Sequence, residues 1–352
     1  MLERPHLFGL LPADLAAHLR TNGVAVRDGE ARRMVAHAIG GGRAGYPASR
    51  PVPRSVERAM EALVERRPLE VVERVTDPAD GFVKYLFRLH DGAVAEAVRI
   101  PLEKEGRFTI CLSSQAGCAM RCDFCATGRM GLARSLEAWE IVAQFLAVRE
   151  EAPGVVTGAV FQGQGEPLHN YDEVMRAAEI LSDPCGAHIA AESITISTVG
   201  LVPAIHRYAR ERRPYRLIIS LTSAIDERRR TLMPVAGAWP VAELAEAVRA
   251  YQRATGGRVT LAWVVLGGIN TGSDEVEALR SLFADIPMRL NLIDVNDARE
   301  DGYIRATPAE LDAFRDALRT LEVPVVRRYS GGAARHAACG MLAARAFSSE
   351  LG

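Results

Sequence analysis

The 352-residue sequence lacks any uninterrupted apolar run of the ~18 residues that a membrane-spanning helix requires. Its opening stretch, MLERPHLFGLLPADL, puts acids and a proline where a secretory leader carries a basic and then an apolar segment, so the expected compartment is the cytoplasm. Missing too is the positive excess of a dedicated nucleic-acid binder, since the net charge is −1 and the pI is near 6.7. Basic residues gather only locally: at Arg210, Arg212, Arg213 and Arg216, at Arg228, Arg229 and Arg230, and at Arg327 with Arg328. Each run reads either as a solvated helix face or as a nucleic-acid contact. There is no low-complexity tract and no internal repeat. Cysteine is scarce, with Cys111, Cys118, Cys122, Cys125, Cys185 and Cys339 making up the whole set. Clustering of this kind in a cytosolic chain favours metal binding or catalysis over a disulfide framework.

What is present supports a sizeable core. With 48% hydrophobic and 25% charged residues, the chain fits one large domain, or one large and one small. The stretches LLPADLAAHLRTNG, GEARRMVAHAIGGG and SVERAMEALVERR have helical apolar spacing. They predict a helical accessory unit, helical to about residue 75 and ending near residue 78. Residues 82–101 predict a β-hairpin turning at His90-Asp91-Gly92.

From Thr109 on, apolar runs such as TICL, GVVTGAVFQG, SITIST, YRLIISLT, RVTLAWVVLG and MRLNLIDV alternate with amphipathic stretches. That alternation predicts an α/β domain over 79–352 with a parallel sheet, as a partial (β/α)6 barrel or a doubly wound open sheet. Ligands then sit at the carboxyl ends of the strands. A final helix and strand precede the Cys339 loop.

The segment CAMRCDFC places Cys118-x3-Cys122-x2-Cys125 directly after the first strand of that series. Three thiolates on one short loop can hold three irons of a 4Fe-4S cubane and leave the fourth open. An open metal position is a chemical site. S-adenosylmethionine (SAM) could chelate it through its amino and carboxylate groups, and one electron would then yield a 5′-deoxyadenosyl radical. Phe124 lies between the last two ligands, where an aromatic could pack by the cluster or by adenine. The competing reading is a zinc knuckle closed by a fourth ligand from elsewhere.

Five motifs in order, CLSSQAGCAMRCDFCATG, GQGEPLHNYDEV, ISTVGLVPAI, IISLTSAIDERRRTLMP and AACGML, resemble the RlmN/Cfr family of radical SAM RNA methyltransferases. The resemblance spans nearly the whole chain. It implies methylation of an adenine sp² carbon, C2 or C8, in large-subunit ribosomal RNA, with transfer RNA as a further substrate. It also implies a one-electron reductant of flavodoxin or ferredoxin type, no membrane partner and a monomer.

The resemblance assigns site residues as well. Cys339 matches the methyl-carrying thiol, and Cys111 the second cysteine, which would attack Cys339 to release product and leave a disulfide. Glu96 of EAVRIP matches the proton acceptor. Gly165 and Glu166 match the turn that meets the SAM amino group. Ser197, Ser220, Leu221, Thr222 and Asn296 match further SAM contacts. Cys185 matches nothing and is expected to be structural.

The chain departs from the family pattern at several places. Thr222 stands where histidine is usual, Asp294 and Asp297 where prolines are, and Ala262 where glutamate is. YSGGAARHAACG lacks the usual Asp-Ile pair. Two other functions stay open at this stage: the same chemistry on a metabolite or peptide, and a zinc-stabilised RNA-binding protein without catalysis.

Overall fold

The computed structural model describes residues 4–40, 52–297, 299, 301–328 and 340–342. Three helices come first: α1 (Pro12–Thr21), α2 (Asp28–Ala38) and α3 (Arg54–Leu63). Pro12 occupies the first position of α1, where a missing N–H costs nothing.

The helical expectation to residue 75 fails at its end, where β1 (Glu70–Thr76) is a strand. Its sequence, EVVERVT, offers a helix-like apolar spacing but is rich in valine. The chain settles that ambiguity by pairing β1 antiparallel with β2 (Val83–Arg88). β2 pairs antiparallel with β3 (Val94–Pro101), which is the expected hairpin. β3 in turn lies antiparallel to β4 (Arg107–Leu112), with Val98 opposite Cys111.

After β4 the chain makes a small antiparallel pair, β5 (Gln115–Gly117) and β6 (Leu132–Ser135), which flanks the short helix α4 (Ala126–Met130). The β/α alternation then follows: α5 (Ala138–Glu150), β7 (Val155–Phe161), α6 (Tyr171–Ser182), β8 (Ile194–Thr198), α7 (Val202–Arg210) and β9 (Arg216–Ser220). It continues with α8 (Asp226–Leu232), α9 (Val241–Thr255), β10 (Val259–Val265), α10 (Ser273–Phe283), β11 (Met288–Asp294), α11 (Pro308–Arg319) and β12 (Val325–Arg328). The main sheet has ten strands in the order β1-β2-β3-β4-β7-β8-β9-β10-β11-β12, and every pairing from β4 onward is parallel. Among the described residues β12 does not pair back to the first strand, so the barrel is open.

One continuous apolar cluster includes side chains on both sides of residue 78, from Leu7, Leu15 and Leu19 through Phe145 to Trp263 and Phe314. The N-terminal helices rest on α5 and α6. His6 stacks on Trp139 at 4.1 Å between ring centroids, Arg176 pairs with Asp14, and Arg149 donates to the Ile39 carbonyl. This arrangement leaves the carboxyl ends of β4 and β7–β11 facing one region. No helix among the described residues is long and apolar enough to cross a membrane.

Candidate active site

β4 delivers the chain into the cysteine loop, which the β5–β6 pair frames. Cys118 N–H donates to the Gly131 carbonyl at 2.8 Å. Gly117 has φ 76°, and a Cβ there would lie 1.9 Å from the same carbonyl oxygen, so only glycine lets the two ends of the loop meet. Cys118 and Cys122 are buried and Cys125 is half-buried at the start of α4. Burial, opposed by the Met120 amide and reinforced by Glu166 and Cys125, pushes the Cys118 thiol up to about 12. Burial, with Cys125, Cys118 and Glu166 adding to it, pushes Cys122 well above the ordinary thiol value. The loop therefore holds these sulfurs neutral unless a cation joins them.

That donor set fits a cluster. Each cysteine of a cubane binds a separate iron. Among the described residues, no three Cys, His, Asp or Glu side chains converge on one point as a single metal ion would require.

The SAM-contact candidates sit on strand-end turns that are tied to one another. Gly165 has φ 101°, and a Cβ there would lie 2.6 Å from the Gln115 Cβ, so the turn after β7 lies directly on the segment leading to the cysteines. Ser197 and Ser220, at the ends of β8 and β9, have hydroxyls 3.5 Å apart. Leu221 and Thr222 amides both donate to the Ala262 carbonyl in the middle of β10. Thr222 is buried with φ 61°, a strained value for a β-branched residue, and its hydroxyl has no partner among the described residues. Asn296 is buried after β11, where the Arg305 guanidinium donates to its Oδ1.

Glu166, the expected ammonium acceptor, also braces the turns around it. Its carboxylate accepts from the Leu168 amide at 2.9 Å and the Val199 amide at 2.8 Å, which ties the β7 turn to the β8 turn. Burial pushes its carboxyl up to about 7, against those donors and the Thr198 hydroxyl.

Arg229 completes the lacing, and sequence reasoning missed it. It was one of three arginines in a charge run, yet it is 1% exposed. Its Nε donates to the Leu221 carbonyl at 3.1 Å and its Nη2 to the Val199 carbonyl at 2.5 Å. Burial lowers its guanidinium to about 10, and its charge acts on Cys122. Arg228 is paired with Glu275 and Asp274, so only Arg230 fits a solvated face.

Two of the departing residues have clear local work. Asp294 pairs with Arg327 at 2.7 Å. Asp297, with a fully buried carboxylate, pairs with Arg299 at 2.6 Å, and Arg299 reaches Asp123 of the cysteine loop at 3.4 Å. The loop after β11 is thereby fastened to the loop that carries Cys122 and Cys125.

Glu96 is buried on β3. Lys84 Nζ lies 2.9 Å from its carboxylate, and Gln164 Nε2 donates to it at 3.3 Å. Burial raises its carboxyl above the ordinary value, against the pull of Lys84. Cys111 sits in a small apolar cluster with Phe82, Val98 and Leu342. Cys118, Cys122 and Cys125 are thiols rather than disulfide partners. Cys339 lies outside the described residues, and so does the pairing with Cys111 that depends on it. Its chain neighbours are described: the Ala126 amide donates to the Gly340 carbonyl at 2.8 Å, and the Thr127 hydroxyl to the Leu342 carbonyl at 2.5 Å. Cys185 is buried in the main apolar cluster, as a structural residue should be. Phe124 packs partly buried against the same cluster.

Comparison with known proteins adds an independent line. The Radical SAM superfamily matches over residues 112–282. A probable RNA methyltransferase of Anaeromyxobacter sp. is 51% identical over 338 residues, which is 96% of this chain and 98% of that protein. The dual-specificity RNA methyltransferase RlmN of Anaeromyxobacter dehalogenans is 38% identical, over 83% of this chain and 80% of that one. The crystal structure of a radical SAM methyltransferase from Sphaerobacter thermophilus superposes with a TM-score of 0.88 at 36% identity, covering 97% of this chain and 99% of that chain.

Proposed function

We propose, from the premise that this chain belongs to the RlmN family of radical SAM methyltransferases, that it methylates an adenine carbon, C2 or C8, in RNA. Membership makes it an enzyme and sets aside the non-catalytic zinc protein. The proposed substrate is large-subunit (23S) ribosomal RNA, with transfer RNA as a second one. The RNA methyltransferase names of the relatives support an RNA substrate.

Cys118, Cys122 and Cys125 would hold the 4Fe-4S cluster, which when bound supplies the electron that splits SAM at its sulfonium. The chain's own residues do the rest. Gly165 lets backbone approach the cofactor amine, while Ser197, Ser220, Leu221, Thr222 and Asn296 line the remaining contacts. The Cys339 thiolate takes a methyl from SAM by displacement and carries it to the adenine. Glu96 accepts the proton leaving the adenine carbon. Its raised carboxyl, pinned by Lys84, is a stronger base than an exposed glutamate. Cys111 then attacks the carrier sulfur and releases the product, leaving a disulfide whose return to two thiols takes two electrons and two protons from outside, while a one-electron donor of flavodoxin or ferredoxin type would charge the cluster. The helical unit up to residue 78 would help grip the nucleic acid.

One observation carries this reading. The residues that follow Cys339 are pinned between the cysteine loop, through Ala126 and Thr127, and Cys111, through Leu342. The test is mass spectrometry of the as-isolated protein for a methyl on Cys339, followed by anaerobic incubation with methyl-labelled SAM and a ribosomal RNA fragment. Label in nucleoside digests is the expected result. Label that stays on Cys339, or passes only to a metabolite or peptide, would overturn the RNA substrate. An unmethylated Cys339 in active protein would overturn the carrier.

A further inference from the structure

The chemistry above uses one end of the open barrel, and the opposite end holds a second feature. Along the amino-terminal halves of β8–β11, and reaching Arg328 at the last position of β12, lies a cavity of about 610 Å³. Arg212, Arg213, Arg216, Arg258, Arg289 and Arg328 line it, and no Asp or Glu does among the described residues. The sequence showed only scattered runs here. Folding brings Arg212, Arg213 and Arg216 together with Arg328, from another run, and with the isolated Arg258 and Arg289.

The strands explain the placement. Side chains two apart share a face. On one face Arg216 and Ile218 lead to Ser220, Thr260 leads to Ala262, and Thr195 leads to Ser197. The same faces thus carry the cavity at their amino ends and the SAM-contact candidates at their carboxyl ends. Arg216 and Ser220 are four residues apart, or ~13 Å along the strand.

Charge elsewhere in the chain is handled differently. Arg74, Arg134 and Arg249 are each matched to carboxylates within 3 Å. Around the cavity only Arg213 has such a partner, Glu211. Arg212, Arg216, Arg258, Arg289 and Arg328 have no carboxylate within 4.0 Å among the described residues. Arg289 Nε and Asn291 Oδ1 are buried there without a hydrogen-bond partner among the described residues. Guanidinium groups gathered without counter-charges repel one another, and a bound polyanion would relieve that repulsion. The planar forks suit phosphate oxygens in particular.

We infer that this cavity binds phosphate groups. They come either from the backbone of the RNA substrate or from a soluble polyphosphate-bearing ligand. The phosphate site stands independently of the methyl-transfer reading, and only its RNA arm rests on that reading.

The experiment uses the full-length, iron-loaded protein under anaerobic conditions. Calorimetric titration with sodium tripolyphosphate is expected to show binding, and R216Q/R289Q to weaken it by about tenfold per arginine. Iron content and melting temperature serve as controls on folding. If the double variant does not fold, R258Q, at an exposed position before β10, replaces it. A parallel titration follows a fluorescent ribosomal RNA fragment across salt concentrations. Backbone binding predicts that the variant loses RNA affinity, that its salt slope falls by about 0.7 per lost contact, and that tripolyphosphate displaces RNA. Loss of tripolyphosphate binding with RNA affinity unchanged assigns the site to a soluble ligand. Unchanged binding of both probes overturns the proposal. Methyl transfer by the wild-type protein is scored separately, so its failure cannot be mistaken for failure of this site.

Discussion

Replacing Arg229 with methionine separates the two jobs this side chain does. The guanidinium makes two charge-assisted bonds to buried carbonyls, at 3.1 and 2.5 Å. Each is worth ~1.5–3 kcal/mol, so their loss removes ~3–6 kcal/mol. Against this, burial lowers the group to about 10, well under the ordinary guanidinium value. That shift corresponds to ~3 kcal/mol spent keeping the charge desolvated, which an apolar side chain of similar length recovers. The two contributions nearly offset, and unfolding by urea is expected to show a loss of only ~0–3 kcal/mol. The effect on the site does not cancel. Val199 and Leu221 belong to the turns that present the Ser197 and Ser220 region, and without Arg229 nothing else bridges their carbonyls among the described residues. SAM affinity of iron-loaded R229M, measured by equilibrium dialysis, should fall about tenfold or more. R229K keeps the charge but has a single donor centre, and it should fall between the two. A folded, iron-loaded R229M that binds SAM within twofold of the wild type would refute the reasoning.

Three further outcomes are expected. Gly165→Ala would force a side chain onto a φ of 101° with its Cβ 2.6 Å from Gln115; a melting temperature and SAM affinity equal to the wild type would contradict the account of that turn. Cys125→Ala should lower the iron content below the ~4 per chain of a complete cluster and abolish reductive SAM cleavage, read by iron analysis and 5′-deoxyadenosine release. At Glu140, burial pushes the carboxyl up, but the hydrogen bonds of Arg134, the Glu137 amide and His90 outweigh it and hold it below the ordinary glutamate value. Because the folded value is the lower one, the ionised network contributes stability above about pH 4.5 that disappears as the pH falls through the folded value. Urea midpoints of E140Q should therefore change less with acidification below pH 4.5 than those of the wild type, and parallel profiles would speak against the network.

The sequence was most informative where local pattern and burial agree. α6, α9 and α10 begin and end where YDEVMRAAEILS, VAELAEAVRAYQRAT and SDEVEALRSLF do, because their apolar stripes match the helical period and loop residues flank them. The cysteine loop was equally plain, since its ligands are adjacent in the chain. β1 was misread because a seven-residue edge strand with exposed positions gives too short a signal to oppose its helical neighbours. The roles of Lys84, Arg229 and Asp297 could not be read, because each draws its meaning from partners elsewhere in the fold: Glu96 on the next strand, the carbonyls of Val199 and Leu221, and Asp123 by way of Arg299. The link from Glu166 to the Val199 amide was equally hidden, since that donor comes from a second turn 33 residues away.

With Cys125 as a cluster ligand, the grip of Ala126 and Thr127 on the carbonyls of Gly340 and Leu342 would couple metallation to the holding of residues 340–342. Cys125 directly precedes α4, so whatever orders that cysteine would also order the two donors. Iron loading and the hold on those residues would then reinforce each other. A protease that cuts near residue 340 should discriminate iron-free from iron-loaded chains, and loss of the segment should make iron easier to chelate away.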